Sequence, residues 1–160
     1  MRIEVGDKIP DVTLMILTDE GIRPVQSSEV LGSGKVVLIG VPGAFTPTCN
    51  DHHLPGFVLR AEDLRAKGVD TIACVGVNDA WVMGAWGRAL GTEGKVLMLA
   101  DGNGEFTAGM GLPLDLSVVG FGNRSQRYAA IIEDGIITHL AVEPDRKVNV
   151  SSVESVLAKL

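Results

Sequence analysis

Along this chain, runs in which every position is apolar alternate with runs in which apolar positions recur every three or four residues. "KVVLIGV" (Lys35 to Val41) and "DTIACVGV" (Asp70 to Val77) are unbroken β-rich stretches, the pattern of strands covered on both faces and so central in a sheet. Between them, "LPGFVLRAEDLRAKG" spaces Leu54, Phe57, Val58, Ala61 and Leu64 along one face of a helix that closes at Lys67 and Gly68. A second helix is expected over "NDAWVMGAWGRALG", capped by Asn78 or Asp79 and ended by Gly91, followed by a third strand over "KVLMLA" (Lys95 to Ala100). "VTLMIL" (Val12 to Leu17) reads as an edge strand, and the turn-rich "DEGIRPVQSSEVLGSGK" (Asp19 to Lys35) as its connection to the first buried strand. "RYAAIIEDG" and "IITHLAVE" form a hairpin turned at Asp134 and Gly135, a dipeptide suited to tight primed turns. A last helix is expected from Ser151, with Glu154 completing a capping box, to Leu160. The sum is an α/β fold, a mixed central sheet with helices on both faces, in one domain over residues 1–160 without repeat or linker.

Composition narrows the function. At 160 residues, 46% hydrophobic and 21% charged, the chain can build a real core without a metal or disulfide scaffold. A net charge of −6 argues against a nucleic-acid surface. The longest apolar runs are strand-sized, far short of the ~20 residues that cross a bilayer, so no membrane span is expected. Met1 is followed by Arg2, Glu4 and Asp7 rather than by an apolar leader, which makes a reducing cytoplasm the expected compartment. The two cysteines, Cys49 and Cys74, then need individual explanations.

Cys49 ends "VPGAFTPTC". Thr46 followed by Pro47 is a helix-start signal, a hydroxyl N-cap before a proline at the first helical position. Cys49 would be the third helical residue, near unpaired N–H groups and the positive end of the helix dipole, where a thiolate is stabilised. Pro42 and Gly43 end the preceding strand, which places the site at the carboxyl end of a central strand. The bland alternative is a small residue packed at a strand-to-helix turn. Cys49, His52 and His53 also have one-turn spacings that could chelate zinc, but no second ligand cluster follows. His52 is expected to be solvated; His139 lies in a strand and carries no signal of its own. Trp81 and Trp86 are read as interface residues, and "FGN" (Phe121 to Asn123) as a turn. Arg127, taken alone, is equally a surface charge at a strand start.

"PGAFTPTC" and the downstream "HLPGF" resemble the active-site segment of peroxiredoxins, in particular the peroxiredoxin-5 and plant type II subgroup. "VGDKIP", "VNDAWVMGAWG", "GKVLMLAD", "FGNRSQRY" and "VEPD" extend the resemblance, in order, over nearly the whole chain. It implies a thioredoxin-like fold, a homodimer, and reduction of hydrogen peroxide and organic hydroperoxides without metal or organic cofactor. By matching position it implies Cys49 as peroxidatic cysteine, Thr46 as the hydroxyl orienting thiolate and peroxide, Pro42 as the shield against water, Arg127 as the active-site arginine, and His53, within "HLPGF", as packed near the pocket. A sulfenic acid formed on Cys49 must then be reduced. The carboxyl-terminal "DRKVNVSSVESVL" lacks the second cysteine that some relatives use there. Cys74, in the buried run "TIACVGV", is read as structural before resolving, leaving glutathione, glutaredoxin or thioredoxin as external reductant. A peroxide-responsive sensor or holdase using the same sulfur is the alternative. Thioredoxin-like dithiol exchange is disfavoured, since Thr46 occupies the first cysteine position of a C-x-x-C pair.

Overall fold

A computed structural model describes all residues 1–160. Seven strands form one sheet in the order β2 (Gly21–Gln26), β1 (Thr13–Thr18), β5 (Leu97–Ala100), β4 (Thr71–Gly76), β3 (Lys35–Val41), β8 (Tyr128–Glu133) and β9 (Ile136–Val142). The two continuous apolar runs become β3 (Lys35–Val41) and β4 (Thr71–Gly76), paired in parallel at its centre with Ile39 beside Cys74. β5 (Leu97–Ala100) extends the parallel part, and β8 (Tyr128–Glu133) pairs antiparallel with β3 on the other side. Alternation along β3 explains why both faces are apolar. Val37, Ile39 and Val41 point into a cluster under α2 (Leu54–Leu59), α3 (Ala61–Ala66), α4 (Ala80–Leu90) and α6 (Val153–Leu157), whereas Val36 and Leu38 enter a second cluster with Phe106 and Met110. No helix is long and apolar enough to cross a membrane.

The β8–β9 hairpin, with β9 spanning Ile136–Val142, turns where expected: Asp134 and Gly135 both have positive φ, 49° and 83°. Asp79, rather than Asn78, caps α4 by accepting from the Val82 N–H at 2.9 Å, and Gly91 closes that helix in the left-handed conformation. Asn78 instead accepts from the Ala44 N–H at 3.0 Å, tying the loop after β4 to the turn after β3.

Several expectations are corrected. β1 (Thr13–Thr18) is an interior strand, because the presumed connection folds back as β2 (Gly21–Gln26) and covers its free edge. Pro24 in β2 is tolerated there because an edge strand has one side free of ladder bonds. A short helix, α1 (Ser27–Val30), completes that segment. The long helix after Cys49 breaks at Arg60 into α2 and α3. The last helix is capped by Ser152, whose hydroxyl accepts from the Ser155 N–H, so the Ser151–Glu154 capping box does not form. Unanticipated were α5 (Glu105–Met110) and a separate ribbon of β6 (Pro113–Asp115) with β7 (Asn123–Ser125), which takes in the end of "FGN". Trp86 is a core residue rather than an interface one: it is fully buried, and its indole N–H donates to Asn50 Oδ1 at 2.9 Å.

Candidate active site

β3 and β8 deliver the site from two sides. The carboxyl end of β3 runs through Val41 into Pro42, and Arg127 precedes Tyr128, which pairs with Gly40. Glycine is required at 40, since a Cβ there would overlap the Tyr128 ring lying across the strand. The chain then turns sharply, with Phe45 at a φ of 64°, a conformation that costs a non-glycine residue roughly 1 kcal/mol or more. Thr46 stands at the helix start, but its hydroxyl donates to the Gly43 carbonyl at 2.7 Å instead of capping an N–H.

The helix begins at Pro47 and widens into a π turn over Cys49–His53, in which the Leu54 N–H reaches the Cys49 carbonyl, before regular α2. Such single-turn insertions are common at functional sites. Here the turn buries Cys49 and His53 while leaving Asp51 and His52 exposed. Both buried residues meet Arg127: Nη2 donates to Cys49 Sγ at 3.1 Å, and Nη1 lies 3.0 Å from His53 Nδ1. His53 Nε2 lies 3.0 Å from the Ser151 carbonyl. Burial, with the Arg127 charge beside it and against the bond to Ser151, pulls the His53 imidazole down to about 3. It is therefore neutral, and its partners assign the tautomer: Nε2–H donates to Ser151, and Nδ1 accepts from Arg127.

Arg127 is thus a buried guanidinium without a carboxylate partner, bonded on one side to a neutral ring and on the other to sulfur. Its Nε is buried and unpaired. Pro42 is buried, and its carbonyl lies 3.4 Å from Nη1 of Arg124, whose guanidinium also stacks 5.2 Å over Phe121. Cys74 is fully buried in β4; burial pushes its thiol up, the nearby Cys49 adds to the rise and Arg127 opposes it.

The fold brings Cys49 and Arg127 into contact and sets Thr46 and Pro42 on the adjoining turn; Cys74 stays beneath them in the sheet. The zinc grouping does not assemble, because both His53 ring nitrogens are engaged and His52 faces outward. Sequence reasoning placed His53 near the pocket but missed its contact with Arg127, and it missed Glu143 and Ser151 behind it. The "VEPD" motif was the available sign of Glu143, but nothing in it points to a partner.

The Redoxin family model matches residues 4–157. Peroxiredoxin-2E of Arabidopsis thaliana, a chloroplastic protein, is 48% identical over 162 residues, covering 99% of this chain and 69% of that protein. Peroxiredoxin-2B of the same plant is 45% identical over 159 residues, covering 99% and 98%. The crystal structure of reduced Prx3 in complex with H2O2 from Vibrio vulnificus superposes with a TM-score of 0.93 at 50% identity, covering 98% of each chain. The sheet described above is therefore the thioredoxin-like sheet of these enzymes, and the chain belongs to the peroxiredoxins, thiol-dependent peroxidases that reduce peroxide at the expense of a thiol.

Proposed function

We propose that Cys49 is the peroxidatic sulfur and that it works by a one-cysteine cycle recycled by an external thiol. The observation that carries this reading is the 3.1 Å contact between Cys49 Sγ and a buried guanidinium that has no carboxylate to neutralise it. An anionic sulfur supplies the missing charge. The thiolate attacks one peroxide oxygen, a new S–O bond forms as the O–O bond breaks, and the sulfur is oxidised by two electrons to a sulfenic acid. The departing oxygen leaves with the bonding pair and takes a proton to become water or an alcohol. Arg127 spans this path, with Nη2 on the sulfur and Nε unpaired, so that negative charge can pass from sulfur to leaving oxygen under one cation. The Thr46 hydroxyl already donates to Gly43, which leaves its oxygen to accept from an entering peroxide O–H. Pro42 shields the site from water. No metal or organic cofactor takes part.

The sulfenic acid condenses with a thiol to give a mixed disulfide and water, and a second thiol restores Cys49 while leaving as the disulfide. Cys74 is a poor candidate for the first thiol, being buried with its ionisation disfavoured. Glutathione, glutaredoxin or thioredoxin in a reducing compartment such as the cytosol fits better. Phe45, Val118, Val119 and Phe121 are exposed, and Arg124 links Phe121 to Pro42 on the turn that leads to Phe45; these apolar side chains favour a homodimer. Val118→Asp should yield monomers by sedimentation.

Cys49→Ser should abolish peroxide consumption while leaving the fold intact; residual turnover would refute the assignment. Mass mapping of both cysteines after peroxide, with glutathione plus glutaredoxin in one arm and a thioredoxin system in the other, identifies the reductant. Stalling after about one equivalent of peroxide with every reductant would turn the reading to a sensor or holdase.

A further inference from the structure

Arg127 can aim at Cys49 only if its own scaffold is fixed, and two of its supports lead back to one residue. Glu143 follows β9 directly and is buried. Its backbone N–H donates to the Arg127 carbonyl at 2.9 Å. Its side-chain Oε2 accepts from the Asn149 N–H at 2.6 Å, the Ser151 N–H at 2.8 Å and the Ser151 hydroxyl at 2.6 Å. The Ser151 carbonyl then meets His53 Nε2, and His53 Nδ1 meets Arg127 Nη1. We infer that Glu143 is a positioning residue for the peroxide reaction: by drawing the loop from 143 to 151 onto one carboxylate oxygen, it sets the His53 tautomer and thereby the aim of Arg127 at Cys49.

Closing a loop is not enough to explain this arrangement. The other carboxylate oxygen, Oε1, is buried with no partner, a costly way to fasten a surface loop that serine or asparagine could hold. What a carboxylate adds is strength and convergence, since charge-assisted bonds to one atom are shorter and firmer than neutral ones. Burial pushes the Glu143 carboxyl up, but the Ser151 hydroxyl and the backbone N–H groups of Asn149, Ser151 and Val150 outweigh it and hold the group below its ordinary value. The anion is thus maintained, and with it the carbonyl position that keeps the imidazole lone pair facing the guanidinium.

The inference rests on Cys49 being the reacting sulfur, and its test keeps the two apart. Glu143→Ala and Glu143→Gln are compared with the wild-type full chain by stopped-flow reaction with hydrogen peroxide across pH, by nitrogen NMR of the His53 ring, and by circular dichroism for folding. Glu143→Ala is expected to slow the reaction by about tenfold and Glu143→Gln by about threefold, the size of losing or weakening the single relayed hydrogen bond between His53 and Arg127. In the same order the pH profile should move to higher pH, and His53 should populate a second tautomer. A folded variant of either kind that keeps the wild-type rate and pH profile overturns the inference, even if it melts earlier, because it shows a loop fastener and nothing more. If the alanine variant fails to fold, the glutamine variant decides. Turnover surviving in Cys49→Ser would instead overturn the assignment of the sulfur.

Discussion

Cys49 and Cys74 occupy the same apolar cluster and are both fully buried, yet their surroundings differ in one respect: only Cys49 has a cation at bonding distance. Cys74 lies mid-strand in β4 beside Ile39, among groups that offer it no donor, and its thiol is held in the neutral form. Cys49 lies past the end of β3, where the ladder has stopped and the Arg127 side chain, from the position just before β8, can reach it. Burial alone makes a cysteine a small hydrophobe. A strand end, a widened helical turn and a guanidinium delivered from elsewhere in the chain give Cys49 the setting that the proposed nucleophile needs.

The strongest way to break this contrast is to remove the cation. Arg127→Ala should lower the rate constant for peroxide by about 100- to 1,000-fold, the range for losing one donor to developing negative charge, and stopped-flow kinetics would measure it. A rate within a factor of about two of wild type would make the surroundings of the two cysteines equivalent.

Acid provides the next test, through the neutral imidazole that shares Arg127 with Cys49. An unfolded histidine takes up its proton near pH 6.5, whereas His53 in the folded chain does so at about 3. The unfolded state therefore binds the extra proton between those values, so the stability contributed by neutral His53 is complete above about pH 6.5 and drains away as pH falls. Unfolding free energy should be about 3 kcal/mol lower at pH 4 than at pH 7, measured by denaturant titration at stepped pH. Glu143, a carboxylate held below its ordinary value, adds a loss of the same sign at the acid end. His53→Gln should flatten the slope, and an equally steep slope in that variant would place its source elsewhere.

Smaller effects sharpen the comparison. Thr46→Val keeps the shape of the turn and removes the hydroxyl that donates to Gly43, and should slow the peroxide reaction by about tenfold. Cys74→Ser should leave peroxide turnover with glutathione within a factor of about two while lowering stability by about 1 to 2 kcal/mol, because a hydroxyl replaces a buried thiol among apolar neighbours. Lost turnover in that variant would make Cys74 the resolving residue.

The sheet was legible where the physics is local and repetitive. Continuous apolar runs marked β3 and β4 as central, and Asp134–Gly135 marked the hairpin, because each signal lies within the element it predicts. The strand β2 was hidden by Pro24, which reads as a breaker unless one knows that an edge is available. The six-residue α5 was hidden because its cap is remote: Asp101, four residues before the helix starts, accepts from the N–H groups of Phe106 and Thr107. In the site, Cys49 and Thr46 announced themselves through a helix-start signal, while Arg127 emerged only through family resemblance. The bond from His53 to Ser151 spans 98 positions, and no pattern in either segment predicts the other.

The complete enclosure of the Cys49 sulfur has a kinetic corollary. Hydrogen peroxide, little larger than water, would need only small fluctuations to reach it, whereas any larger thiol or alkylating reagent would need the π turn to open. The enzyme would then sort reagents by size before it sorts them by chemistry. At saturating reductant, turnover would report how often that turn breathes, and a maleimide would label the resting protein far more slowly than peroxide oxidises it.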